Sequence, residues 1–309
     1  MLVFREIKTN LLESSCLALG MFDGVHLGHQ KVILSAVKSA QELNSTSTIV
    51  TFSRHPRHIK SRIQPRLITT LEEKMAIFEQ IGVQAVVMLD FTEELSCITA
   101  EDYLENYLIN GLNAKSISVG YNHHFGANKK GDGKFLKLYS SRYNYKLEII
   151  PPVTIGGHVV SSSTIRKLIH SGEVDFAAKM LGRLYTIKNT VVKGMQRGKL
   201  LGFPTANLNQ PAEKACPKAG VYSGIVIIDN KKYSSVINVG KRPTYADLAE
   251  NLIEAHILNF NGDLYGKEIE IGFLKRIRDE VRFNSESELK GQIKEDCKSV
   301  PSCDLCFSI

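Results

Sequence analysis

The sequence predicts two domains of different class: an α/β domain with a parallel sheet, then a small antiparallel β-barrel with a closing helix. The chain has 309 residues, which suits two hydrophobic cores better than one. Strand and helix patterns alternate over residues 1–180, whereas the later strands are grouped around short polar turns. With 43% hydrophobic and 23% charged residues, the composition is that of a folded globular protein.

The first part of the chain alternates apolar or β-branched runs with segments of helical period. The predicted strands are residues 17–19, 48–52, 83–89, 116–119 and 146–150. The predicted helices are residues 29–43, 71–81 and 100–109, with Gly82 as a stop signal after the second. Strands that alternate with helices form a parallel sheet covered on both faces. Ligands of such sheets bind at the carboxyl ends of the strands.

A change of pattern near residue 182 predicts the domain boundary. Pro151-Pro152 ends the alternation, and residues 162–182 then read as two short helices. We therefore predict domains at 1–182 and 183–309. The predicted strands of the second domain are 221–228, 233–239, 252–260 and 264–273, followed by a helix at 285–298. Asn261-Gly262-Asp263 predicts that the last two strands form a hairpin.

Charge, cysteines and the N-terminal sequence limit the class of protein. The N-terminus lacks a signal-peptide pattern and no apolar run approaches ~20 residues, so we expect a cytoplasmic protein that does not enter a membrane. The net charge of +7 is dispersed, which fits an enzyme of polyanionic nucleotides without a nucleic-acid partner. Cys303-x-x-Cys306, with Cys297 upstream, is half of a zinc pattern, and free thiols are the favoured interpretation. The sequence leaves the oligomeric state open.

The densest motif is the stretch from Gly20 to His29, GMFDGVHLGH, between a predicted strand and a predicted helix. Glycines at such a turn let backbone N–H groups approach phosphate oxygens, and the helix N-terminus adds a favourable dipole. His26 and His29 lie three residues apart, so both side chains point the same way and can donate hydrogen bonds to phosphate. The alternative is that the two histidines only cap the helix.

This stretch resembles a known enzyme family. His26-Leu27-Gly28-His29 is similar to the HxGH signature of the nucleotidyltransferase superfamily, which implies a Rossmann-like first domain. The ten-residue string resembles bacterial bifunctional riboflavin kinase/FAD synthetases. The resemblance continues through nearly the whole chain, at Thr51-Phe52 with His55-Pro56, Gly120 with Phe125-Gly126, and Ser161-Ser162 with Ile165-Arg166.

The resemblance implies that FMN phosphate attacks the α-phosphorus of ATP at this first site, with Mg²⁺ bridging the phosphates. It implies that His26 and His29 hold the ATP phosphates and that Asp23 lies at the nucleotide and metal end. The full implied ATP set is Gly20, Phe22, Asp23, Gly24, His26, Gly28, His29, Ser162 and Arg166. The implied flavin contacts are Asn122, Phe125 and Ser163.

Three positions depart from the family pattern. Ser53-Arg54 stands where the family has Glu-Pro, and Ser163 stands where it has Thr. The loop Asn122-His123-His124 replaces an acidic-aromatic pattern, which bears on FMN affinity rather than on reaction type.

A second motif lies between Gly194 and Asn207. Its glycines and its proline predict a loop rather than a stable helix, and basic side chains with free N–H groups can cradle phosphates. Taken alone it is equally consistent with a long surface hairpin. Gly202-Phe203-Pro204-Thr205-Ala206-Asn207 resembles the GxPTAN element of riboflavin kinases, in which Thr205 and Asn207 would ligate Mg²⁺ and ATP phosphate. The implied phosphate-binding set is Gly194, Gly198, Lys199, Gly202, Pro204, Thr205 and Asn207, with Lys199 where the family has Arg.

Glu254 is a carboxylate on a predicted strand. Alternation puts it on one face with Leu252 and Leu258, where a carboxylate needs a partner or a role. An ion pair satisfies that need, and spacing does not exclude one. The resemblance makes Glu254 the catalytic base for the ribityl 5′-hydroxyl, and it makes Arg278 and Phe283 the flavin contacts of the second domain.

Three hypotheses remain from sequence. The first is a bifunctional enzyme that phosphorylates riboflavin to FMN and adenylylates FMN to FAD, with ATP as co-substrate. The second is the same chain with one activity lost. The altered loop Asn122-His123-His124 makes the adenylyl transfer the activity more readily lost. The third is a flavin-binding regulator that touches nucleic acid.

Overall fold

The computed structural model describes residues 1–53, 65–194, 197–241 and 251–302, without the side chains of Arg197, Lys199, Lys241 and Asn251. The chain divides into two compact units, Met1–Ser161 and Ser162–Ile309. Arg54, His55-Pro56, Cys303 and Cys306 lie outside the described residues, so the predictions that involve them are not addressed. The described cysteines, Cys16, Cys97, Cys216 and Cys297, are free thiols.

The first unit is built on a six-stranded, fully parallel sheet. Its strands are β1 Leu2–Phe4, β2 Ser15–Leu19, β3 Thr46–Phe52, β4 Ala85–Leu89, β5 Ala114–Gly120 and β6 Lys146–Ile150. The order is β1-β4-β3-β2-β5-β6, so the direction of winding reverses at β2. Every residue of β2 is buried, because helices cover both faces. One core contains Leu17 and Leu19, and the other contains Ala18 of the same strand.

Helices connect these strands as the pattern predicts. Their bounds are α1 Leu27–Glu42, α2 Leu71–Ile81, α3 Glu93–Cys97, α4 Ala100–Asp102 continued by a π-helix at Tyr103–Ile109, and α5 Gly133–Tyr143. A capping box between Thr70 and Glu73 begins α2, and Gly82 ends it at φ +94°. The two-stranded ribbon of β7 Thr154–Ile155 and β8 His158–Val159 follows. Helix α5, capped by Asp132, was not predicted, and Leu136 is its one fully buried residue.

The second unit begins with two short helices and continues as an antiparallel barrel. Helices α6 Ser162–Ser171 and α7 Val174–Leu181 precede the strands. The strands are β9 Tyr185–Thr190, β10 Thr205–Asn209, β11 Gly220–Ile228, β12 Lys231–Lys241, β13 Asn251–Ile257 and β14 Glu268–Arg278. Their order is β10-β13-β12-β11-β14-β9, and a backbone bond from Val192 N–H to Asn207 C=O at 2.8 Å links the two outer strands. Helix α9 Glu286–Lys298 closes the unit.

Two sequence predictions about this unit are wrong. The hairpin around Asn261-Gly262-Asp263 does not form, because β13 pairs with β10 and β12 while β14 pairs with β11 and β9. Turn residues permit a hairpin, but barrel order decides which strands meet. The stretch after Gly194 is not only a loop, since it contains one helical turn, α8 Arg197–Leu200, and then strand β10.

Candidate functional site

The first candidate site is the turn between β2 and α1. It lies at the carboxyl end of β2, where the sheet reverses its winding and a crevice for ligands is expected. Three of its residues have left-handed backbones: Phe22 at φ +53°, Gly24 at +82° and Val25 at +37°. A β-branched residue in this region is strained, and such strain persists only where surrounding contacts hold it. Here Val25 donates its N–H to the Phe22 carbonyl, and its own carbonyl accepts from Gln30.

The two histidines of this turn are stacked. Their ring centroids are 3.6 Å apart and the rings are nearly parallel at 17°. His26 is the N-cap of α1, because its Nδ1 accepts the backbone N–H of His29 at 3.2 Å. A neutral His26 that accepts at Nδ1 carries its proton on Nε2 and can donate from there. Capping therefore fixes the tautomer that a phosphate ligand needs, and the two interpretations of His26 are compatible.

His29 is held in its neutral form. Burial, together with repulsion from His26 and Lys74, puts the pKa of His29 well below its usual range. The edge of Phe22 packs against its ring at 5.3 Å, and its Nδ1 is buried with no protein partner among the described residues. A buried ring nitrogen without a partner is costly unless a ligand satisfies it.

Behind this turn lies a lysine that sequence reasoning missed. Lys74 of α2 is only 7% exposed, and its Nζ donates to the carbonyl of Met21 at 3.3 Å. Burial lowers the pKa of Lys74 to about 8, against a smaller opposing attraction from Asp23. Asp23 in turn accepts backbone N–H bonds from Ile68 and Thr69 at 3.0 and 3.3 Å. The signal in the sequence is the helical spacing of Lys74 to the buried Phe78, which puts the lysine on the core face.

The loop after β5 lies at the same edge of the sheet, beside β2. Asn122 is exposed there, while the ring of Phe125 packs at 5.5 Å from Tyr103 and 5.7 Å from Phe135. His123 stacks on Phe125 at 5.8 Å, and burial with a smaller repulsion from His124 lowers its pKa to about 4. The histidine that departs from the family pattern is thus a neutral aromatic ring. The structure brings Gly20, Phe22, Asp23, Gly24, His26, Gly28, His29, Asn122 and Phe125 to this edge. Ser162, Ser163 and Arg166 lie at the start of α6 in the second unit.

The second candidate site is a cavity of about 480 Å³ in the second unit, a volume typical of small-molecule sites. Strand residues, the Gly194–Phe203 segment and helix α9 contribute to its wall. The sequence-predicted residues that line it are Gly194, Gly198, Thr205, Asn207, Glu254, Arg278 and Phe283. Gly202, at φ +87°, and Pro204 flank the lining residue Phe203. The side chain of Lys199 lies outside the described part of the chain.

Asn207, Glu254 and Asn238 form a row across three neighbouring strands of this cavity. Glu254 of β13 is directly opposite Asn207 on one side and Asn238 on the other, and all three line the cavity. Burial raises the pKa of Glu254, a hydrogen bond from Asn238 opposes that shift, and Glu280 adds to it. The side chain of Asn207 is 4% exposed and its Oδ1 has no protein partner in the described residues. Gly194 is needed beside it, because a Cβ there would stand 2.6 Å from the Asn207 Nδ2.

Arg278 is held by the closing helix. Its guanidinium donates to the Asp296 carboxylate through Nε at 3.0 Å and Nη2 at 2.7 Å, and Asp296 is 2% exposed. Gln292 donates to the same carboxylate at 3.0 Å, and the Phe283 ring lies 5.8 Å from the guanidinium carbon. Arg278 therefore links the cavity wall to α9, and this structural contact does not depend on a ligand.

Comparison with known proteins decides the family. A family model described as FAD synthetase matches residues 8–164, and one described as riboflavin kinase matches residues 181–303. The bifunctional riboflavin kinase/FMN adenylyltransferase of Bacillus subtilis is 36% identical over 288 residues, covering 91% of this chain and 90% of the relative. This chain belongs to the bifunctional riboflavin kinase/FMN adenylyltransferase family.

Another curated member of that family, from Buchnera aphidicola, is 33% identical over 301 residues, 96% of this chain and 95% of the relative. A crystal structure from Streptococcus pneumoniae, described as a macrolide-efflux protein, has 32% identity and a TM-score of 0.88, covering 96% of this chain and 98% of that chain. None of the helices described here could span a bilayer.

The family match confirms the resemblance and the fold class predicted from sequence. As a member of the riboflavin kinase/FMN adenylyltransferase family, the chain has two candidate sites, one within each unit's own elements. Sequence reasoning missed Lys74 and Asn238, because neither of them lies in a recognisable motif. The roles of the individual site residues stay predictions.

Proposed function

We propose that this chain is a bifunctional enzyme of flavin biosynthesis, which phosphorylates riboflavin to FMN and then adenylylates FMN to FAD. Residues 183–309 would carry the kinase and residues 1–182 the adenylyl transfer, with ATP as co-substrate of both. The observation that supports the proposal most directly is the row of Asn207, Glu254 and Asn238, which lines one cavity. The other unit contains a separate turn at the start of a helix, of the kind that binds phosphate. Riboflavin, FMN and ATP are the partners we propose, in a cytoplasmic enzyme that does not bind nucleic acid.

In the kinase reaction, Glu254 takes the proton from the ribityl 5′-hydroxyl as that oxygen attacks the γ-phosphorus of ATP, the bond to the β,γ-bridging oxygen breaks and ADP leaves. Burial supports this role, because it raises the pKa of Glu254 and so makes its carboxylate a better proton acceptor. Residues of the segment from Gly194 to Asn207 orient the phosphates, with backbone N–H groups left free by its glycines. Arg278 and Phe283 bound the side of the cavity next to α9, where we propose that the flavin lies.

The kinase cavity fits Mg²⁺ by the chemistry of its oxygen donors. Thr205 offers a hydroxyl, and Asn207 offers a buried amide oxygen that no described group satisfies. Such hard oxygen ligands suit Mg²⁺ shared between protein and substrate phosphates. When bound, the ion would neutralise phosphate charge. Among the described residues, no cluster of three or more His, Cys, Asp or Glu side chains could hold a metal ion. Mg²⁺ would therefore need ligands from the substrate phosphates as well.

In the adenylyl transfer, the turn from Gly20 to His29 holds the ATP phosphates while FMN phosphate attacks the α-phosphorus and pyrophosphate leaves. His26 donates from Nε2, and the partly buried, neutral His29 supplies a ring N–H from a ring that packs against Phe22. Fixed donors of this kind cost no reorganisation when charge develops at phosphorus. The proposal therefore assigns positioning and charge stabilisation to this site, without a covalent intermediate.

Two substitutions test the assignment of one activity to each site. His29→Ala should slow FAD formation from FMN by ~10²-fold or more, while FMN formation from riboflavin persists. Glu254→Gln should slow FMN formation by roughly 10²–10⁴-fold, while FAD formation from added FMN persists. The measurement is the separation of FMN and FAD over time after mixing protein, ATP and Mg²⁺ with either flavin.

The matched control for His29→Ala is His158→Ala, which changes an exposed histidine. The matched control for Glu254→Gln is Glu270→Gln, which changes a barrel glutamate that does not line the cavity. Equal loss of both activities in either site variant would contradict the two-site assignment. FMN without FAD from the unmodified chain would instead support loss of the adenylyl transfer. Neither product, with steeply salt-dependent binding to DNA or RNA, would support the regulator.

A further inference from the structure

Asn238 faces Glu254 from the neighbouring strand. Residues directly opposite each other in an antiparallel pair point to the same face, with Cβ atoms ~5 Å apart. Asn238 of β12 and Glu254 of β13 are such a pair, and both line the cavity. The Asn238 side chain carries two N–H donors beside the Glu254 carboxylate, and hydrogen bonding from it acts to lower the pKa of that carboxyl. We infer that Asn238 is a positioning residue of the kinase reaction, holding the Glu254 carboxylate in the orientation from which it accepts the substrate proton. This inference rests on the proposed kinase function.

The surroundings of Glu254 show why a neutral donor is needed there. Leu252, two residues before Glu254 on β13, and Val236, two residues before Asn238 on β12, also line the cavity and offer no donor. A second carboxylate, Glu280, approaches from the segment after β14. Gly240 makes room for it, because a Cβ at Gly240 would stand 2.8 Å from the Glu280 Oε1 and 3.6 Å from the Asn238 Nδ2. Asn238 thus lies beside both carboxylates.

The other charged groups around the cavity do not replace this donor. The titratable or charged side chains that line it besides Glu254 are Lys193, His256, Arg278, Glu280 and Asp296. Arg278 and Asp296 are bound to each other, and the Nδ1 of His256 lies 2.9 Å from the carbonyl of Pro204. Lys193 follows Val192, which pairs with Asn207 on the side of β10 opposite to β13. Strand β10 therefore lies between Lys193 and Glu254. The amide of Asn207, opposite Glu254 on β10, donates from its Nδ2 to the Thr205 carbonyl at 3.3 Å. Among the described side chains, the amide of Asn238 is therefore the group placed to orient Glu254.

A positioning role predicts a loss in turnover rather than in binding. Asn238→Ala should lower kcat for riboflavin phosphorylation roughly 10-fold or more, the effect of losing one hydrogen bond to a charged group, while KM for riboflavin and ATP changes by less than about twofold. The loss should be larger at low pH. Without the Asn238 donor the pKa of Glu254 rises, so the acid side of the kcat profile moves to higher pH.

Asn238→Asp separates this role from simple packing. It keeps the volume but replaces the donor by a second negative charge, so the acid side of the profile should move furthest in this variant. Asn238→Ser keeps a shorter donor and should fall between the alanine variant and the unmodified chain. The matched control is Asn189→Ala, which removes an amide that donates to the Asn209 carbonyl at 2.8 Å in the same barrel. FAD formation from added FMN, measured in the same samples, reports that the first unit of each variant is intact, and a thermal melt of each variant checks that its barrel is folded.

The outcomes distinguish this inference from the proposed function. If the unmodified chain makes FMN, and the alanine and aspartate variants keep its kcat and its acid limb, Asn238 does not position Glu254. An equal shift of the profile in Asn189→Ala would likewise overturn the positioning role. If the unmodified chain makes no FMN from riboflavin, the kinase proposal itself fails.

Discussion

Replacing Lys74 by methionine removes a buried charge that destabilises the first unit. Folding lowers the pKa of this lysine from 10.5 to about 8, because burial disfavours the ammonium more than Asp23 attracts it. At ~1.4 kcal/mol for each pH unit, that difference corresponds to about 3 kcal/mol. Between pH 8 and 10.5 the unfolded chain holds a proton at Lys74 that the folded chain lacks, so the free energy of unfolding rises with pH. Below pH 8 both states are protonated and the full cost is present.

Methionine has a similar length and no charge, so most of this cost disappears. The lost donor to the Met21 carbonyl offsets ~1 kcal/mol of the gain, and Thr51 still donates to that carbonyl at 3.3 Å. We therefore expect Lys74→Met to raise the free energy of unfolding at pH 7 by about 1–2 kcal/mol. The variant should also lose the rise in stability between pH 8 and 10.5. Since a costly charge beside a ligand turn suggests a functional use, FAD formation should fall at the same time.

Urea unfolding followed by circular dichroism gives the free energy at each pH. Hydrogen exchange of peptides from α2 assigns the change to the first unit. The exposed Lys31→Met is the control and should leave the pH dependence unchanged. A variant that is less stable at pH 7 by ~2 kcal/mol, with the original pH dependence, would show that the ammonium stabilises the fold and would refute this reasoning.

Three further substitutions test local contacts. Gly82→Ala should lower the free energy of unfolding by ~1–2 kcal/mol, because φ is +94° there while the nearest side chain, Val37, is 3.9 Å from the new Cβ. Gly291→Ala, in helix α9 with open space around the new Cβ, should raise the free energy of unfolding by ~0.5–1 kcal/mol. Thermal melts measure both variants, and a change of the same sign in the two would contradict the backbone argument. Asp296→Asn should loosen the closing helix by ~3 kcal/mol, because Arg278 loses its buried carboxylate. Faster hydrogen exchange confined to α9 checks this expectation, and unchanged exchange would mean that the ion pair does not hold the helix.

The sequence predicted the elements whose signals are local. Apolar or β-branched runs predicted five of the six strands of the parallel sheet, all but the short β1, and Gly82 ended its helix where expected. The predicted strands 221–228 and 233–239 pair with each other, through a tight turn at Asp229-Asn230 where both residues adopt positive φ. Such features depend on a few neighbouring residues, so one sequence suffices to find them.

Features that depend on distant partners were missed. The Asn261-Gly262-Asp263 turn is a valid local signal, but the neighbours of β13 and β14 are chosen by the barrel as a whole. Asn238 and Glu254 are 16 residues apart and meet only through strand register. Lys74 lies beside Met21 because α2 packs next to the first site, a contact that no motif records. Motif residues were found because their chemistry is encoded in consecutive positions.

Asn207 uses its backbone and its side chain for separate tasks. Its carbonyl accepts the bond from Val192 that joins the outer strands, and this bond is indifferent to the identity of the side chain. Its amide oxygen alone faces the interior of the cavity without a protein partner among the residues described. A substitution at residue 207 should therefore leave the barrel joined at this seam, even where it removes the ligand contact that we propose for the amide oxygen.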